Sequence, residues 1–357
     1  MTRATMTVRA RPAACAFVAL AALLALARPA AADEPAATAA AAGASTTDRS
    51  GDATGRGTAD APEAPVVLAR FSTPYAHDAE HKARASNIEI AAEAIDGRTI
   101  APGGVFSFND AVGERTQAFG YARSIVIRDG MIAEGVGGGA CQVASTLHAA
   151  ALLAGLDVVL RAPHSRPSAY IRMGLDATVA FGGTSPAIDL RLKNPHPSAV
   201  TIHARATRGS LDVWLETRAA SRPDVSLTSE ILERSPFPRV VERDKRAKDD
   251  VVRMKAFGIP GYRVRRVREV RAADGTVKRD VRIDVYPATS EVVRVSPSFD
   301  EARLRARRQQ ARGDADGHGD GDGTASAPRI VVDASAPRPA LVQLRPSTRV
   351  TMDNSAR

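Results

Sequence analysis

Apolar positions along this chain fall into three patterns. The run from Ala13 to Ala27 is continuous. Within Ala83 to Ile95, residues Ile88, Ala91, Ala92 and Ile95 recur near helical spacing, and Asp96-Gly97 closes the segment with turn residues. A stronger helix is predicted over Gln142 to Ala154, with Gly155 as its stop. The remaining patterned segments alternate. Val105 to Phe108, Ser124 to Arg128, Met131 to Ala133 and Leu156 to Leu160 read as strands, with Asp129-Gly130 as a hairpin turn. Asp176 to Phe181, Ile188 to Leu192, Ala199 to Ala204 and Leu211 to Glu216 follow in the same way. Two helices among short strands predict an α+β domain with an antiparallel sheet. From about Ala219 the alternation continues and arginines accumulate, which predicts a separate, small all-β module.

These patterns divide the chain. Arg3, Arg9 and Arg11 precede the first apolar run and Ala30-Ala31-Ala32 follows it, so residues 1–32 read as a secretory signal. The run is shorter than a membrane span, and no integral span is expected after signal removal. Residues 33–64 carry six acids against Arg49 and Arg56 and lack apolar periodicity, which predicts a disordered linker. The folded part is expected over 65–218 and 219–299, with a disordered tail over 300–357. The Asp-x-Asp-Gly pieces of that tail lack the glutamate that closes a calcium loop. The expected location is periplasmic or cell-wall associated.

Composition narrows the chemistry. The net charge of the 357 residues is +9, but the signal holds four arginines and no acid, so the remainder carries +5. Aromatic residues make up 4%, with one Trp, which disfavours a stacking surface for single-stranded nucleic acid. Export argues further against a nucleic-acid partner. Of two cysteines, Cys15 lies in the signal, so Cys141 is the only thiol of the exported part. A disulfide framework and a multi-cysteine zinc site are thereby excluded. His77 and His81 have metal-ligand spacing but no third ligand, and neither a metal nor a cofactor is expected.

Cys141 follows Gly135-Val136-Gly137-Gly138-Gly139-Ala140 and stands where that loop becomes a helix. Unpaired first-turn N–H groups and the helix dipole stabilise a thiolate there. The glycines let backbone N–H groups approach a substrate oxyanion. The other reading is a small cysteine buried at a helix start. Two histidines are candidate bases. His148 lies two turns further along the same helix face, about 10 Å along the axis. His164 sits between two prolines in Ala162-Pro163-His164-Ser165-Arg166-Pro167, a stiff loop that projects its side chain. Asp176 can orient an imidazole or cap a turn.

The residues from Phe71 to about Thr217 resemble the VanW domain of bacterial cell-envelope proteins. The matching segments include Arg84-Ala85-Ser86-Asn87-Ile88, Ile100 to Asn109, Val112-Gly113-Glu114-Arg115-Thr116 and Gly135 to Val143. Ser145-Thr146-Leu147, Ala151 to Leu156, His164-Ser165, Asp176 to Val179 and Asn194-Pro195 continue the match in order. The resemblance implies a cysteine-dependent peptidoglycan L,D-transpeptidase activity, attributed to some members. Carried over, Cys141 is the nucleophile and His164 the histidine after the next strand. His148 departs from the family, whose helix more often has tyrosine at this place. Residues 219–299 are similar to a G5-type module, through Phe257 to Tyr262, Val264 to Val270, Asp274-Gly275 and Val281 to Pro287. Arg263, Arg265, Arg266, Arg268 and Arg271 crowd one of its strands, readable as a basic face for anionic wall polymer or as a solvated strand face.

The expected function is acyl transfer on peptidoglycan stem peptides. Cys141, His164 and Asp176 form the expected catalytic set. Gly137, Gly138, Gly139, Gln142, Ser145 and His148 are the expected oxyanion or substrate groups. The alternatives are a non-catalytic wall-binding or scaffold protein and a cysteine amidase or peptidase that transfers to water.

Overall fold

The most apolar segment becomes the centre of the fold. In the computed structural model, every residue from Gln142 to Leu153 is buried, so this helix is covered on all sides. Its polar members are each bonded. Thr146 Oγ1 donates to Gln142 O at 2.8 Å, and Ser145, Gln142 and His148 reach neighbouring segments.

The structure describes residues 64–128, 131–181, 187–218, 222–249, 251–272, 274–302, 329–332 and 349–353. The expected signal, the expected linker up to residue 63 and the Asp129-Gly130 turn lie outside them. In chain order the first elements are β1 (Val66–Pro74), α1 (Lys82–Ile95), β2 (Thr99–Ile100), β3 (Val105–Ser107) and α2 (Phe108–Val112). Next come β4 (Arg123–Arg128), β5 (Met131–Val136), α3 (Ala140–Leu153), β6 (Asp157–Leu160), β7 (Arg191–Lys193), β8 (Val200–Thr207) and β9 (Ser210–Thr217). The C-terminal part supplies β10 (Asp224–Ser235), β11 (Arg239–Arg243), β12 (Val251–Ala256), β13 (Gly261–Arg271), β14 (Val277–Tyr286) and β15 (Glu291–Val295). β16 (Arg329–Val332) and β17 (Arg349–Asp353) complete the set.

Strands dominate and most pairs are antiparallel, and α1, α2 and α3 all lie in the N-terminal part. That is an α+β fold. β1-β9-β8-β2 form one sheet, β3-β7-β6 a second and β4-β5 a hairpin. β14-β13-β10-β17 and β11-β15-β12-β16 form two C-terminal sheets. α1 buries Ala85, Ile88, Ala91, Ala92 and Ile95 on one stripe, against a core shared with Leu147, Leu152, Leu175, Leu192 and Val213. Asp96 Oδ1 accepts from Ala204 N at 2.9 Å and so fastens the end of α1 to β8.

Three expectations change. Phe108 opens α2 instead of ending a strand, because Ser107 Oγ accepts from Asp110 N at 3.1 Å and caps a new helix. The segment 176–181 makes only isolated pairings, Ala162 with Thr178 and Ala180 with Ile188. Side chains of α3 take its backbone groups: Ser145 Oγ accepts from Ala177 N at 2.9 Å, and the Cys141 thiol contacts Val179 O at 3.4 Å. Residues 329–332 and 349–353 are strands, where a disordered tail over 300–357 was expected. They pair with β12 and β10, whose edges would otherwise be unpaired. No described helix is long and apolar enough to cross a membrane.

Candidate active site

The glycine loop is shaped by what crowds it. Gly137 has φ 81°, and a Cβ there would lie 2.7 Å from Arg115 Cβ. Gly139 caps α3 with φ 120°, and a Cβ there would lie 2.8 Å from Ile88 Cγ1. A Cβ at Gly138 would fall 2.3 Å from Ile125 O. Asn87 ties this loop down, donating from Nδ2 to Gly138 O at 2.9 Å and to Ala122 O at 3.0 Å. Gly138→Ala is therefore expected to destabilise the protein by about 1–3 kcal/mol. Urea unfolding measures this, and a midpoint equal to wild type would show that the loop yields.

Cys141 stands in the first turn of α3, half-buried. Its sulfur contacts Val179, whose N–H lies 3.5 Å away and whose carbonyl lies 3.4 Å away. The thiol and the His164 imidazole act on each other electrostatically, His164 lowering the thiol and the sulfur raising the imidazole. His164 Nδ1 lies 2.8 Å from Asp176 Oδ2, and the His164 backbone N–H donates to the same oxygen at 2.7 Å. Nδ1 is thus engaged by the carboxylate, which leaves Nε2 as the nitrogen open to another partner. Tyr170 OH lies 3.5 Å from Nε2. Asp176 Oδ1 accepts from Arg161 Nη2 at 3.0 Å and from Tyr286 OH at 2.5 Å. The imidazole is therefore coupled by charge to the thiol and bonded to the carboxylate, which is held by four hydrogen bonds.

Charge follows from this geometry. Burial pushes the Cys141 thiol up, but the hydrogen bond and charge of His164, with Val179 and Arg115, bring it below its ordinary value. Burial lowers His164, but Tyr170, Asp176 and Cys141 raise it well above its ordinary value. Burial raises Asp176, yet His164 and Arg161 hold it well below the usual carboxylate range. Both shifts run in the direction of thiolate and imidazolium. Alkylation of Cys141 by iodoacetamide is expected to titrate with a midpoint below the roughly 8.5 of free cysteine. His164→Ala should move that midpoint upward, because it removes the cation that favours the charged sulfur. A midpoint at or above that of free cysteine in wild type would contradict the ion pair.

Other expected groups are placed elsewhere. His148 does not address Cys141. It is fully buried and lies 2.7 Å through Nδ1 from Leu175 O, with Arg266 Nη1 3.4 Å from Nε2. Burial and the charges of Arg161 and Arg266 push it well below its ordinary value, so it is neutral. Two helical turns separate it from Cys141, and its ring is turned to the other end of the buried cluster. Gln142 is not free for substrate. Its Nε2 donates to Thr73 Oγ1 and Pro74 O, both at 2.9 Å, and its Oε1 accepts from Arg84 Nη2 at 2.8 Å. Ser145 Oγ donates to Cys141 O at 2.7 Å and holds the segment bearing Ala177. The N–H of Gly137 is used by Ala122 O at 3.2 Å. Cys141 N–H has no backbone acceptor among the described residues.

Residues 83–215 match the family model described as VanW like protein. The chain therefore carries a VanW-family domain. It is 41% identical over 138 residues to the uncharacterized protein YoaR of Bacillus subtilis, covering 39% of this chain and 44% of that protein. It is 29% identical over 113 residues to the vancomycin B-type resistance protein VanW of Enterococcus faecalis, covering 30% of this chain and 40% of that one. The chain spans less than half the length of these relatives.

The VanW-like domain does not close its own site. Tyr286, on β14, holds Asp176, and Asp284 on the same strand accepts from Arg161 Nη1 at 2.6 Å. Both lie outside 83–215, as does β1, which anchors Gln142 through Thr73 and Pro74. The sequence reading missed Arg84, Arg115, Arg161, Tyr170 and Tyr286. Arg84 and Arg115 stand inside family-like segments, but nothing in their local pattern says that they meet at the glycine loop. The basic-face reading of β13 is corrected as well. Alternation splits its arginines: Arg266 and Arg268 are buried against the VanW-like domain, Arg268 donating to Leu156 O at 2.6 Å. Arg263, Arg265 and Arg271 face solvent, and Arg265 pairs with Glu230 at 2.6 Å. Among the described residues no cluster of three metal-ligating side chains occurs.

Proposed function

We propose that the VanW-like domain is a cysteine acyl transferase of the L,D-transpeptidase type acting on peptidoglycan stem peptides. The observation that carries this reading is the His164–Asp176 hydrogen bond beside Cys141 at the start of α3, with the imidazole and the thiol coupled by charge. A nucleophile, a base and a group that orients the base are what covalent acyl transfer requires. The vancomycin-resistance relative supports a cell-envelope setting. Residues beyond 218 are taken as a G5-like module that braces the site.

In this mechanism the Cys141 thiolate attacks a peptide carbonyl of the donor stem. The carbonyl π pair moves to oxygen, and the oxyanion forms beside the Cys141 N–H at the positive end of α3. The C–N bond then breaks as His164 gives its Nε2 proton to the leaving amine. A thioester remains on Sγ. The amine of a second stem attacks it, returns a proton to His164 and releases the thiolate. Asp176 holds the imidazole through Nδ1 throughout.

The test is intact-mass spectrometry of the protein with tetrapeptide muropeptides. A mass gain that maps to Cys141, with new stem dimers, is the expected result. A wall-binding protein without catalysis is the rival reading, favoured by the contact of the sulfur with Val179. Binding without adduct or dimer would select it. Adduct with hydrolysis alone would select a peptidase.

A further inference from the structure

We propose that Arg84 and Arg115 form a two-guanidinium docking site for the carboxylates of the acyl donor, one on each side of the glycine loop. The inference rests on reading Cys141 as the acyl-transfer nucleophile, and it names what the donor carries: a free carboxylate next to the scissile bond, as a chain-terminal leaving residue has.

Placement is the first observation. The side chain of Arg115 packs where Gly137 lacks a Cβ, with its Cβ 2.7 Å from that position. Arg84 flanks Gly139 in the same way, with its carbonyl oxygen 3.1 Å and its Cγ 3.6 Å from the missing Cβ. Glycine at both places lets the two arginines close on the loop that leads into Cys141. The second observation is pairing. Neither guanidinium has a carboxylate within ion-pair distance among the described residues. Arg84 donates to the neutral Gln142 Oε1 at 2.8 Å. Arg115 donates to the neutral Asn109 Oδ1 at 2.8 Å and to Gly113 O at 3.3 Å. Asp189, the acid that acts on Arg115 through space, is already engaged by Ser107, the Asn109 N–H and Arg191.

The third observation is orientation. Arg84 stacks over Tyr170 at 5.8 Å, while Arg115 lies 5.8 Å from Phe108 and 6.0 Å from the exposed ring of Phe181. Aromatic faces and amide oxygens fix the planes of both forks without neutralising them. Burial pulls both arginines below their ordinary pKa, and the field of Cys141 pulls both back up. Two fixed, half-buried cations share one thiolate, and the imidazolium adds a third positive charge. Such a site is completed by an anion, and a planar guanidinium matches a carboxylate in shape and charge.

The experiment compares alkylation of Cys141 by iodoacetate and by iodoacetamide. The two reagents share a reactive carbon and differ in a carboxylate, so their rate ratio cancels any change in thiolate fraction. The wild-type ratio is expected to exceed that of free cysteine by about tenfold. It should persist in 0.5 M salt, because a contact pair is screened less than a distant field. Arg84→Gln and Arg115→Gln should each lower the ratio, the double variant should bring it to the free-cysteine value, and the lysine variants should keep part of it. A wild-type ratio equal to free cysteine, or a double variant with the wild-type ratio, overturns the proposal. If the glutamine variants do not fold, the wild-type protein decides. N-acetyl-D-alanine should slow iodoacetamide alkylation and its amide should not, and equal effects overturn the proposal. A charge preference without muropeptide adducts would remove the acyl-transfer reading and keep the docking site. Adducts without charge preference would do the reverse.

Discussion

Cys141→Ala is expected to abolish the muropeptide adduct and to lower stem crosslinking by about 10³-fold or more. Nothing else in the site can take over the attack. His164 is committed to Asp176 through Nδ1, and Ser145 Oγ is committed to the Cys141 and Ala177 backbone. A water that entered would be activated by His164 but could only hydrolyse, so crosslinks would disappear even where some hydrolysis persisted. The fold should survive. Alanine fits the half-buried position, and the lost contacts are the long ones to Val179 at 3.4 and 3.5 Å. Melting within a few degrees of wild type, measured beside the assay, separates lost chemistry from lost structure. Cys141→Ser should also be inactive, because a hydroxyl is far harder to ionise than a thiol in the same field. Full crosslinking by Cys141→Ala would place the chemistry elsewhere.

Arg161→Met is expected to cost about 3–5 kcal/mol, the largest stability loss predicted for a single side chain here. Arg161 is fully buried and reaches Asp284 at 2.6 Å, Asp176 at 3.0 Å and Asp176 O at 2.6 Å. Its removal leaves two buried carboxylates facing each other across the seam between the VanW-like domain and β14. Asp176 keeps His164 and Tyr286, but Asp284 keeps only Arg282 at 3.7 Å among the described ion pairs. A typical domain is stable by only about 5–15 kcal/mol, so such a loss is decisive at moderate urea. Adding Asp284→Asn to Arg161→Met should recover part of it, because the stranded charge is then gone. A urea midpoint unchanged by Arg161→Met would mean that water enters and solvates the cluster. Acyl transfer should also weaken in this variant, since Asp176 loses one of the two groups that hold Oδ1.

The sequence reading and the structure part company at identifiable residues. α3 could be read directly, because an apolar run of helical length with a terminal glycine forms a helix wherever it packs. The loop glycines were read as an approach for a substrate oxyanion, and their second use, making room for Arg115, Ile125 and Ile88, is visible only in the structure. His164 could be read as a projecting residue, and helix spacing already put His148 too far from Cys141 for a direct hydrogen bond, but whether His164 reached the site stayed open. What separates the two is the partner of each ring: a carboxylate for His164 and a backbone carbonyl for His148. Gln142 and Ser145 have the chemistry of substrate groups, and only their neighbours show that they are spent on holding β1 and the 176–181 segment.

β13 and β14 show why the remainder needed the tertiary structure. Alternation in these strands correctly divides the residues into two faces, and hydrophobicity suggests that the valines face inward. The reverse occurs. Arg266, Arg268, Asp284 and Tyr286 are buried, while Val281, Ile283 and Val285 on β14 are exposed. The opposing surface offers Asp157, the Leu156 carbonyl, Arg161 and Asp176, and a buried charge is stable only against such partners. The chain alone settled the local elements, the lone thiol at a helix start and the set of groups able to do acyl chemistry, since these depend on neighbours within a few residues. Which histidine is paired with a carboxylate, which arginines flank the glycine loop and which strand clamps Asp176 depended on contacts between different segments, 12 positions apart for His164 and Asp176 and 110 for Asp176 and Tyr286. Those contacts are fixed by which charged and polar groups find complements when the sheets and helices close on one another.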